Sequence, residues 1–478
     1  MPPTVGVVGA GPVGCLAALE LAQRGFHVHV YERQSRDAYL ASLTSPYSPN
    51  EMVTRRGLQA LRAASRPGPT SVTASLASSI QALCIPVDTR ETHYATSSSR
   101  QRLGPHGEAV YSLRHGALLR VLYDAMQSHH AIDMHMGCHV DAMDVLSDAV
   151  YIHTSSGPSL PPLSTRCDWV VGCDGWHSIV RQHMVRVADV HTATETLEGA
   201  WVTFVVPPVP SLSTVTFAMD PGSVHVWTHD TLCVTACPNR DASFTATLYA
   251  PATLLSEARK SATSMQQLVQ THAPHLLPYL PTDTFTHLTT TTPTPLGRAS
   301  CEPMHAGASL LLLGDAAHTL TPFNAQGLNG GWDDVRIFMD ELDAALEHTP
   351  LAALHMHSVF ARVSRRRRDD VRAMLHLSQD PYFSLYHTSP FALTSTAPTS
   401  RLAWARRWWE DSVDAAAMRC LPKDTWLSWQ AMVLFSPYSY ATAWRQYQRQ
   451  HALLLWSLGI LLALSTLWLG HGHWTSVE

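Results

Sequence analysis

The chain has 478 residues, enough for two or three domains that share a core. Charged residues make up only 15% of it and the formal net charge is −5, which gives no case for nucleic acid as a partner. None of the nine cysteines falls in a C-x-x-C pair, and the 28 histidines contain no HExxH spacing, so free thiols in a reducing compartment and no metal site are expected.

The first thirty-odd residues, Thr4 to Arg33, read strand, glycine turn, helix, strand. Val5, Val7 and Val8 lead into Gly9-Ala10-Gly11-Pro12-Val13-Gly14. Gly9 allows the tight turn, Gly11 lets a pyrophosphate approach the backbone, and Gly14 lets the following helix pack against the sheet. That helix carries Leu16, Leu19 and Leu21 on its apolar side, stops at Gly25, and offers its N–H groups and positive dipole end to phosphates. The next strand, Val28 to Tyr31, ends in Glu32, an acid placed to accept hydrogen bonds from both ribose hydroxyls. Together these features predict a dinucleotide-binding unit.

After a polar stretch from Arg33 to Asn50, a helix is expected from Glu51 to Ala64. Arg66 to Ser79 reads as a loop, Ala82 to Arg90 and Tyr111 to Leu113 as strands, Ser97 to Gly107 as turns, and Gly116 to Met126 as a helix. A second strong stretch, Asp168 to Arg181, is a buried strand running into Asp174-Gly175 and a helix beginning near Ser178. From 195 to 295, alternating threonine, valine and aromatic residues predict an antiparallel sheet inserted into the first domain. The α/β pattern resumes with the apolar strand Ser309 to Leu313, then Gly314-Asp315, Pro322 and Gln326-Gly327-Leu328-Asn329-Gly330-Gly331 opening a long helix. Asp315 is placed to bond a ribitol or ribose hydroxyl. From Leu351 to Arg449 the chain reads as mostly helical, and the run Arg365 to Arg368 with Asp369-Asp370 reads as a solvated helix face. Ala452 to Gly470 carries no charge; nineteen helical residues span roughly 28 Å, about one hydrocarbon core, so a transmembrane anchor is expected there, with the bulk of the protein cytosolic.

These three stretches, in this order and spacing, resemble the single-component flavin aromatic monooxygenases. The resemblance implies an α/β fold. It would comprise a Rossmann-like FAD-binding domain, an inserted antiparallel β-sheet substrate domain, a helical C-terminal part and a C-terminal transmembrane helix. The implied boundaries are 1–185 and 296–375 for the FAD-binding domain, with about residues 80–112 lent to the substrate sheet. The substrate sheet itself would span 186–295, the helical region 376–450 and the anchor 452–470. FAD would be held by Gly9, Gly11, Pro12, Val13, Gly14, Glu32, Arg33, His115, Asp174, Gly175, Gly314, Asp315, Pro322, Gln326, Gly327, Leu328 and Asn329.

Within that family, Ala218 to Pro221, His225 to Trp227, Pro238-Asn239, Ser243 to Leu248 and Pro322 to Gly331 resemble the branch that hydroxylates L-kynurenine. The reaction implied uses NADPH and O2 and belongs to tryptophan catabolism and NAD biosynthesis. Arg90 would grip the substrate carboxylate, with Tyr94 and Asn329 nearby. The flavin, oxygenated at C4a, would do the chemistry itself, so no catalytic side chain is expected. Eukaryotic members share the apolar tail; with the first strand beginning at Thr4, this implies the mitochondrial outer membrane, contacted through lipid by the tail. The chain departs from the family pattern at three places. The family tyrosine falls at Leu103, a Tyr-x-Glu pair at Trp201-Val202-Thr203, and a flavin-side arginine at His115, next to Arg114.

Overall fold

The computed structural model describes residues 2–474 apart from 65–71, 95–96, 147–148, 156–162, 211–214, 230–231, 388–411, 414–415 and 418–424. Much of the expected helical region 376–450 therefore lies outside the described residues.

The strand β1 (Thr4–Val8), the helix α1 (Pro12–Gln23) and the strand β2 (His27–Glu32) form the expected opening unit. β1 lies inside a six-stranded sheet whose order is His305–Ala306, Leu310–Leu312, Trp169–Gly172, β1, β2 and Ile132–Met136. All neighbours run parallel except the first pair. Trp169–Gly172 and Leu310–Leu312 are buried on both faces, which is why they read as continuous apolar runs without alternation. One face packs on α1 and the helices His115–Gln127 and Gly327–Leu346, with Val5, Val7, Leu16, Leu118, Trp332 and Phe338 in the core. The other face packs on a three-stranded sheet of residues 139–167 and the helix Ile179–Val187.

An eight-stranded sheet forms the second layer system. Its order is His318–Thr319, Thr294–Glu302, His191–Val206, Phe244–Pro251, Leu232–Pro238, Ser223–His229, Thr89–His93 and Ser98–Arg102. It is antiparallel except where Ser223–His229 runs parallel to Thr89–His93. One face is buried under Ala252–Ala258, Ala262–His272 and Thr282–Thr290, around Phe204, Trp227, Phe244 and Leu248.

Several local expectations change. The stretch 195–295 is not all sheet: these three helices interrupt it, because Leu255, Met265, Leu268, Val269, Phe285 and Leu288 recur at helical spacing and cover the sheet. Val72–Leu83 is a helix instead of a loop; Leu76, Ala77 and Ile80 bury on one side despite the serine and threonine content. Ser98–Arg102 is an exposed edge strand instead of a turn region, its polarity being that of an edge. Arg367 does not belong to a solvated face. It is fully buried in a cluster of carboxylates, while its neighbours Arg366 and Arg368 make exposed ion pairs.

The expected transmembrane helix is overturned: among the described residues no helix is long and apolar enough to cross a membrane. The apolar run is the distal part of a longer helix, Tyr440–Trp474. That helix begins on the protein body, with Tyr440 and Ala443 buried and Trp444 stacked on His376, and its first turns carry Arg445 and Arg449. Side chains from 465 onward lie outside the described residues. The expected lipid contact through this tail loses its support for the same reason.

Candidate active site

Three remote segments converge at the carboxyl ends of the parallel strands, where open α/β sheets hold their ligands. Val13 lies at their meeting point. A methyl group on Gly314 would come within 3.0 Å of Val13, and one on Gly331 within 2.6 Å, so both positions must be bare for the segments to meet. Gly9, at φ +99°, and Gly14 are equally constrained: their added Cβ atoms would lie 2.5 Å from the Cys173 carbonyl oxygen and 2.0 Å from the Gly9 carbonyl oxygen. Gly11 differs. Nothing lies within 4 Å of its Cβ position, so its bare face opens on the cleft where a phosphate would approach. α1 begins there with Pro12 in its first turn and no side-chain cap, leaving its N-terminal dipole to a ligand.

Glu32 is buried, and its two oxygens accept from the backbone N–H groups of Ala10 (3.0 Å) and Gln34 (2.9 Å). It therefore braces the glycine loop, and each oxygen keeps a second lone pair for a ribose hydroxyl. Arg33, one residue on, is exposed.

Asp174 caps the helix Ile179–Val187, with Oδ2 accepting from the Ile179 N–H at 2.6 Å. Its Oδ1 is buried without a protein partner, and burial raises its carboxyl above the usual carboxylate range. The Asp174 backbone lies against the Gly9 turn, and an orphaned acceptor beside that turn fits a hydroxylated cofactor. Gly175, at φ +77°, makes the turn behind it. The same helix sends Arg181 into the third segment, where Nη1 donates to the Ala316 carbonyl at 2.6 Å. Sequence reading gave Arg181 no role; its place in the Asp-Gly-x-x-Ser-x-x-Arg stretch was the available signal.

Asp315 sits in the short 3-10 turn Gly314–Ala316. Its carboxylate reaches solvent yet stands among many protein atoms, and this burial, with Glu51 close by, pushes its pKa up to about 6. That combination belongs to a side chain lining a deep cleft. Oδ1 lies 3.7 Å from where a Cβ on Gly327 would stand, beside the N-terminus of the helix Gly327–Leu346, which has no side-chain cap. The geometry brings Glu51 and His115 to the same place, paired at 2.8 Å. Glu51 was not foreseen as a site residue.

Behind the turn lies a buried charge cluster. Asp334 Oδ2 accepts from the Gly314 N–H (2.8 Å) and contacts His318 Nε2 (2.6 Å), and its Oδ1 accepts from Arg367 Nε (2.7 Å). Arg367 also reaches Asp333 and Asp370. Burial alone would raise the Asp334 pKa, but the His318 and Arg367 charges outweigh it and hold the carboxyl below its usual range.

Some expected ligands are committed elsewhere. The Asn329 side chain is fully buried. Its oxygen accepts from the Thr54 N–H and hydroxyl, and its nitrogen donates to the Met52 and Ala325 carbonyls. All four amide positions are used, so it fixes the strand Asn50–Val53 against the helix and has nothing left for substrate. Gln326 is likewise buried, between Tyr440 and the Asn324 carbonyl, and Leu328 is in the core. Pro322 is exposed at the start of a 3-10 turn whose Phe323 packs on Tyr249, ring centroids 5.1 Å apart.

Strand pairing decides where Arg90 faces. It pairs with Val224, so it shares a sheet face with Val224, Val226, Cys233 and Tyr249, opposite the helix-covered core. Val224 and Met52 pack against one cluster, Val226 and Phe323 against another that includes Tyr249, and the Tyr249 ring meets Phe323, so this face turns toward the segments that form the cleft. Arg90 Nη2 donates to Gln101 at 2.7 Å. Tyr94 is not brought to this spot. It is exposed at the hairpin end of the strand, about 13 Å from Arg90 at ~3.3 Å per residue. Leu103 is buried beside Val87 and Val110, Trp201 packs near Tyr249, and Thr203 donates to the Tyr47 carbonyl.

The model of the FAD binding domain family matches residues 3–357. A kynurenine 3-monooxygenase of Emericella nidulans is 30% identical over 401 residues, 79% of this chain and 77% of that protein. Kynurenine 3-monooxygenase 3 of Aspergillus niger is 31% identical over 403 residues, 79% of each chain. A Neurospora crassa kynurenine 3-monooxygenase is 27% identical over 476 residues, 95% of this chain and 89% of that protein. Among solved structures, the tetrameric 2-methyl-3-hydroxypyridine-5-carboxylic acid oxygenase superposes with a TM-score of 0.62 at 17% identity, over 82% of this chain and 94% of that one. PqsL of P. aeruginosa, solved in complex with 2-aminobenzoylacetate, gives 0.60 at 16% identity, over 81% and 97%. At such identities the structures speak to the fold alone. Fold and family together define an FAD-dependent monooxygenase. Within that class, the chain belongs to the kynurenine 3-monooxygenase family.

Proposed function

We propose that this chain hydroxylates L-kynurenine to 3-hydroxykynurenine, with NADPH as reductant and O2 as oxidant. The observation that carries the reading is the 31% identity to a fungal kynurenine 3-monooxygenase over 79% of both chains. In this reading the Gly9–Gly14 turn and the N-terminus of α1 hold the pyrophosphate, and Glu32 takes the ribose. Asp174 and Asp315 take hydroxyls of the remainder of FAD. The helix Gly327–Leu346, uncapped at its N-terminus, would offer its positive end to negative charge on the flavin. FAD, when bound, supplies the activation of dioxygen and the transfer of one oxygen atom to the ring.

The protein's own task is to bind, orient and exclude water. Arg90, on the sheet face over the cleft, supplies a bidentate fork for the substrate carboxylate. Val226, Tyr249 and Phe323 supply an apolar wall for an aromatic ring. NADPH has no second glycine-rich unit here and would dock transiently near Asp174. The test is NADPH oxidation by the yellow, FAD-loaded protein with and without L-kynurenine, with product identified by mass. Stimulated oxidation with 3-hydroxykynurenine formed is expected. Stimulation only by other aromatic acids, or bound FAD with no stimulated turnover, would overturn the substrate.

A further inference from the structure

Away from the flavin cleft, at the open edge of the six-stranded sheet, lies a cluster of imidazoles that the oxygenation chemistry does not use. β2 and the edge strand Ile132–Met136 run parallel, with His29 opposite Asp133 and Tyr31 opposite His135. Alternate residues of a strand share a face, so the two i,i+2 pairs His27/His29 and Asp133/His135 project from the same side. We propose that these side chains form a site for one zinc ion or a similar borderline divalent ion, bound by His27, His29 and Asp133, with His135 as the fourth ligand.

The ligand atoms of His27, His29 and Asp133 all lie within 4.8 Å of one another, and His135, which meets His29, would complete the set by a turn of its ring. His27 Nε2 is 3.1 Å from Asp133 Oδ2, His29 Nδ1 is 3.7 Å from the same oxygen, and His29 Nδ1 is 3.0 Å from His135 Nε2. A tetrahedral zinc with bonds of about 2.0–2.1 Å holds its ligand atoms about 3.3 Å apart. Two imidazole nitrogens at 3.0 Å share a single proton between them, and a metal ion in that place would engage both lone pairs. The titratable groups facing His29 are His27, His135 and Asp133, and burial, followed by the two imidazoles, lowers its pKa while Asp133 raises it. Burial lowers that of His135 as well, so both offer neutral nitrogens at neutral pH. Three imidazoles with one carboxylate suit zinc, whereas calcium and magnesium need more oxygen ligands than the cluster supplies. Asp133 is half exposed, which gives an ion a way in, and His29 is largely covered.

A second cluster, Glu91 with His93 and His225, is the weaker candidate: Arg100 already holds Glu91 at 3.0 Å, and a cation would have to displace that guanidinium. The ligands His27 and His29 stand five and three residues before Glu32 on β2, on alternate positions from it, so they project from the opposite face of the sheet. An ion bound there would tie the edge strand to β2 and stabilise the folded chain by mass action.

The full-length, FAD-loaded protein, freed of metal with a chelator, is titrated with zinc chloride by calorimetry and followed by thermal unfolding. We expect one site per chain tighter than any background histidine binding, and a rise in Tm. His27→Gln and Asp133→Asn should each weaken it by at least about tenfold and abolish the Tm shift. His93→Gln should leave it unchanged. Wild-type binding no tighter than that of Asp133→Asn, or loss in His93→Gln instead, would overturn the site. Should the variants fail to fold, cobalt(II) in the wild-type protein decides. Strong tetrahedral bands at longer wavelengths than the flavin absorbs support the site, and a weak octahedral spectrum overturns it.

Discussion

The carboxylate of Asp334 accepts a hydrogen bond from the backbone N–H of Gly314 at 2.8 Å, and so ties the turn that carries Asp315 to the long helix behind it. The same carboxylate is the centre of a fully buried charge cluster with His318 and Arg367. Removing one member leaves the others with uncompensated charge in a medium of low dielectric. Asp334→Asn should therefore cost about 3 kcal/mol in urea unfolding of the apoprotein. It should also weaken FAD binding, read by flavin fluorescence, because the Gly314 turn loses its anchor. The pH dependence has a definite sign. The Asp334 pKa is held low in the folded state, so its stabilisation is present above the unfolded carboxylate pKa and is lost as pH falls through the folded one. Wild type should lose stability on acidification more steeply than the variant.

Gly11 and Gly14 lie three residues apart and should fail for different reasons. Gly11 has φ −74°, which any residue accepts, and open space at its Cβ position. Gly11→Ala should leave the Tm of the apoprotein nearly unchanged while weakening FAD by about tenfold or more, because the methyl occupies the approach to the backbone. Gly14→Ala would drive a Cβ to 2.0 Å from the Gly9 carbonyl oxygen, so it should destabilise the apoprotein itself by about 3 kcal/mol. Thermal unfolding of the two apoproteins separates these effects. Equal losses of stability would remove Gly11 from the phosphate approach.

These two glycines also mark what the sequence makes legible. Local signals were readable because each position answers to its neighbours: Gly9, Gly11 and Gly14 to their turn, and Glu32 to the strand end. The apolar run Leu310–Leu312 answers to burial on both faces. Where a residue answers to a distant segment, the reading failed. Arg367 sits in a run of arginines that locally resembles a solvated face; Asp370 is a neighbour in that run, and only the packing of residues 356–387 against Gly327–Leu346 adds Asp333 and Asp334 and buries all of them. Asn329 reads as a ligand, but its amide is spent on Thr54 and Met52, which lie about 275 positions earlier in the chain. The histidines of β2 pair with an Asp-x-His more than a hundred residues away, a spacing that no search within one segment finds. The apolar tail reads alone as a membrane span, yet among the described residues no helix is long and apolar enough to cross a membrane.

Arg90 carries the substrate assignment. A charged, bidentate contact to a carboxylate is worth about 1.5–3 kcal/mol, so Arg90→Ala should raise the KM for L-kynurenine by about ten- to a hundredfold. FAD affinity should be unaffected, since Arg90 belongs to the eight-stranded sheet and the Gly9 turn to the six-stranded one. Arg90→Lys should recover only part of the loss, because an ammonium keeps the charge but not the fork. Steady-state kinetics with both variants tests this; wild-type KM in Arg90→Ala would take the residue out of the site.

Asp315 should produce a pH effect opposite in sign to that of Asp334. Its folded pKa, about 6, is raised by burial and by Glu51. A raised carboxyl pKa favours the folded state most below the unfolded value near 4, and this contribution is lost as pH rises through 6. In the apoprotein, Asp315→Asn removes the ionisation and should flatten the stability profile between pH 4 and about 6, making the variant the more stable form at pH 7. FAD should bind it more weakly, since an amide is a poorer acceptor for a cofactor hydroxyl than a carboxylate. The two trends run in opposite directions in one protein, so a general loss of folding cannot mimic them. Apoprotein unfolding from pH 4 to 8 beside flavin titration at pH 7 measures both. A variant less stable than wild type at pH 7 would show that the Asp315 carboxylate is held by the protein itself and does not stand in the cleft to meet a ligand.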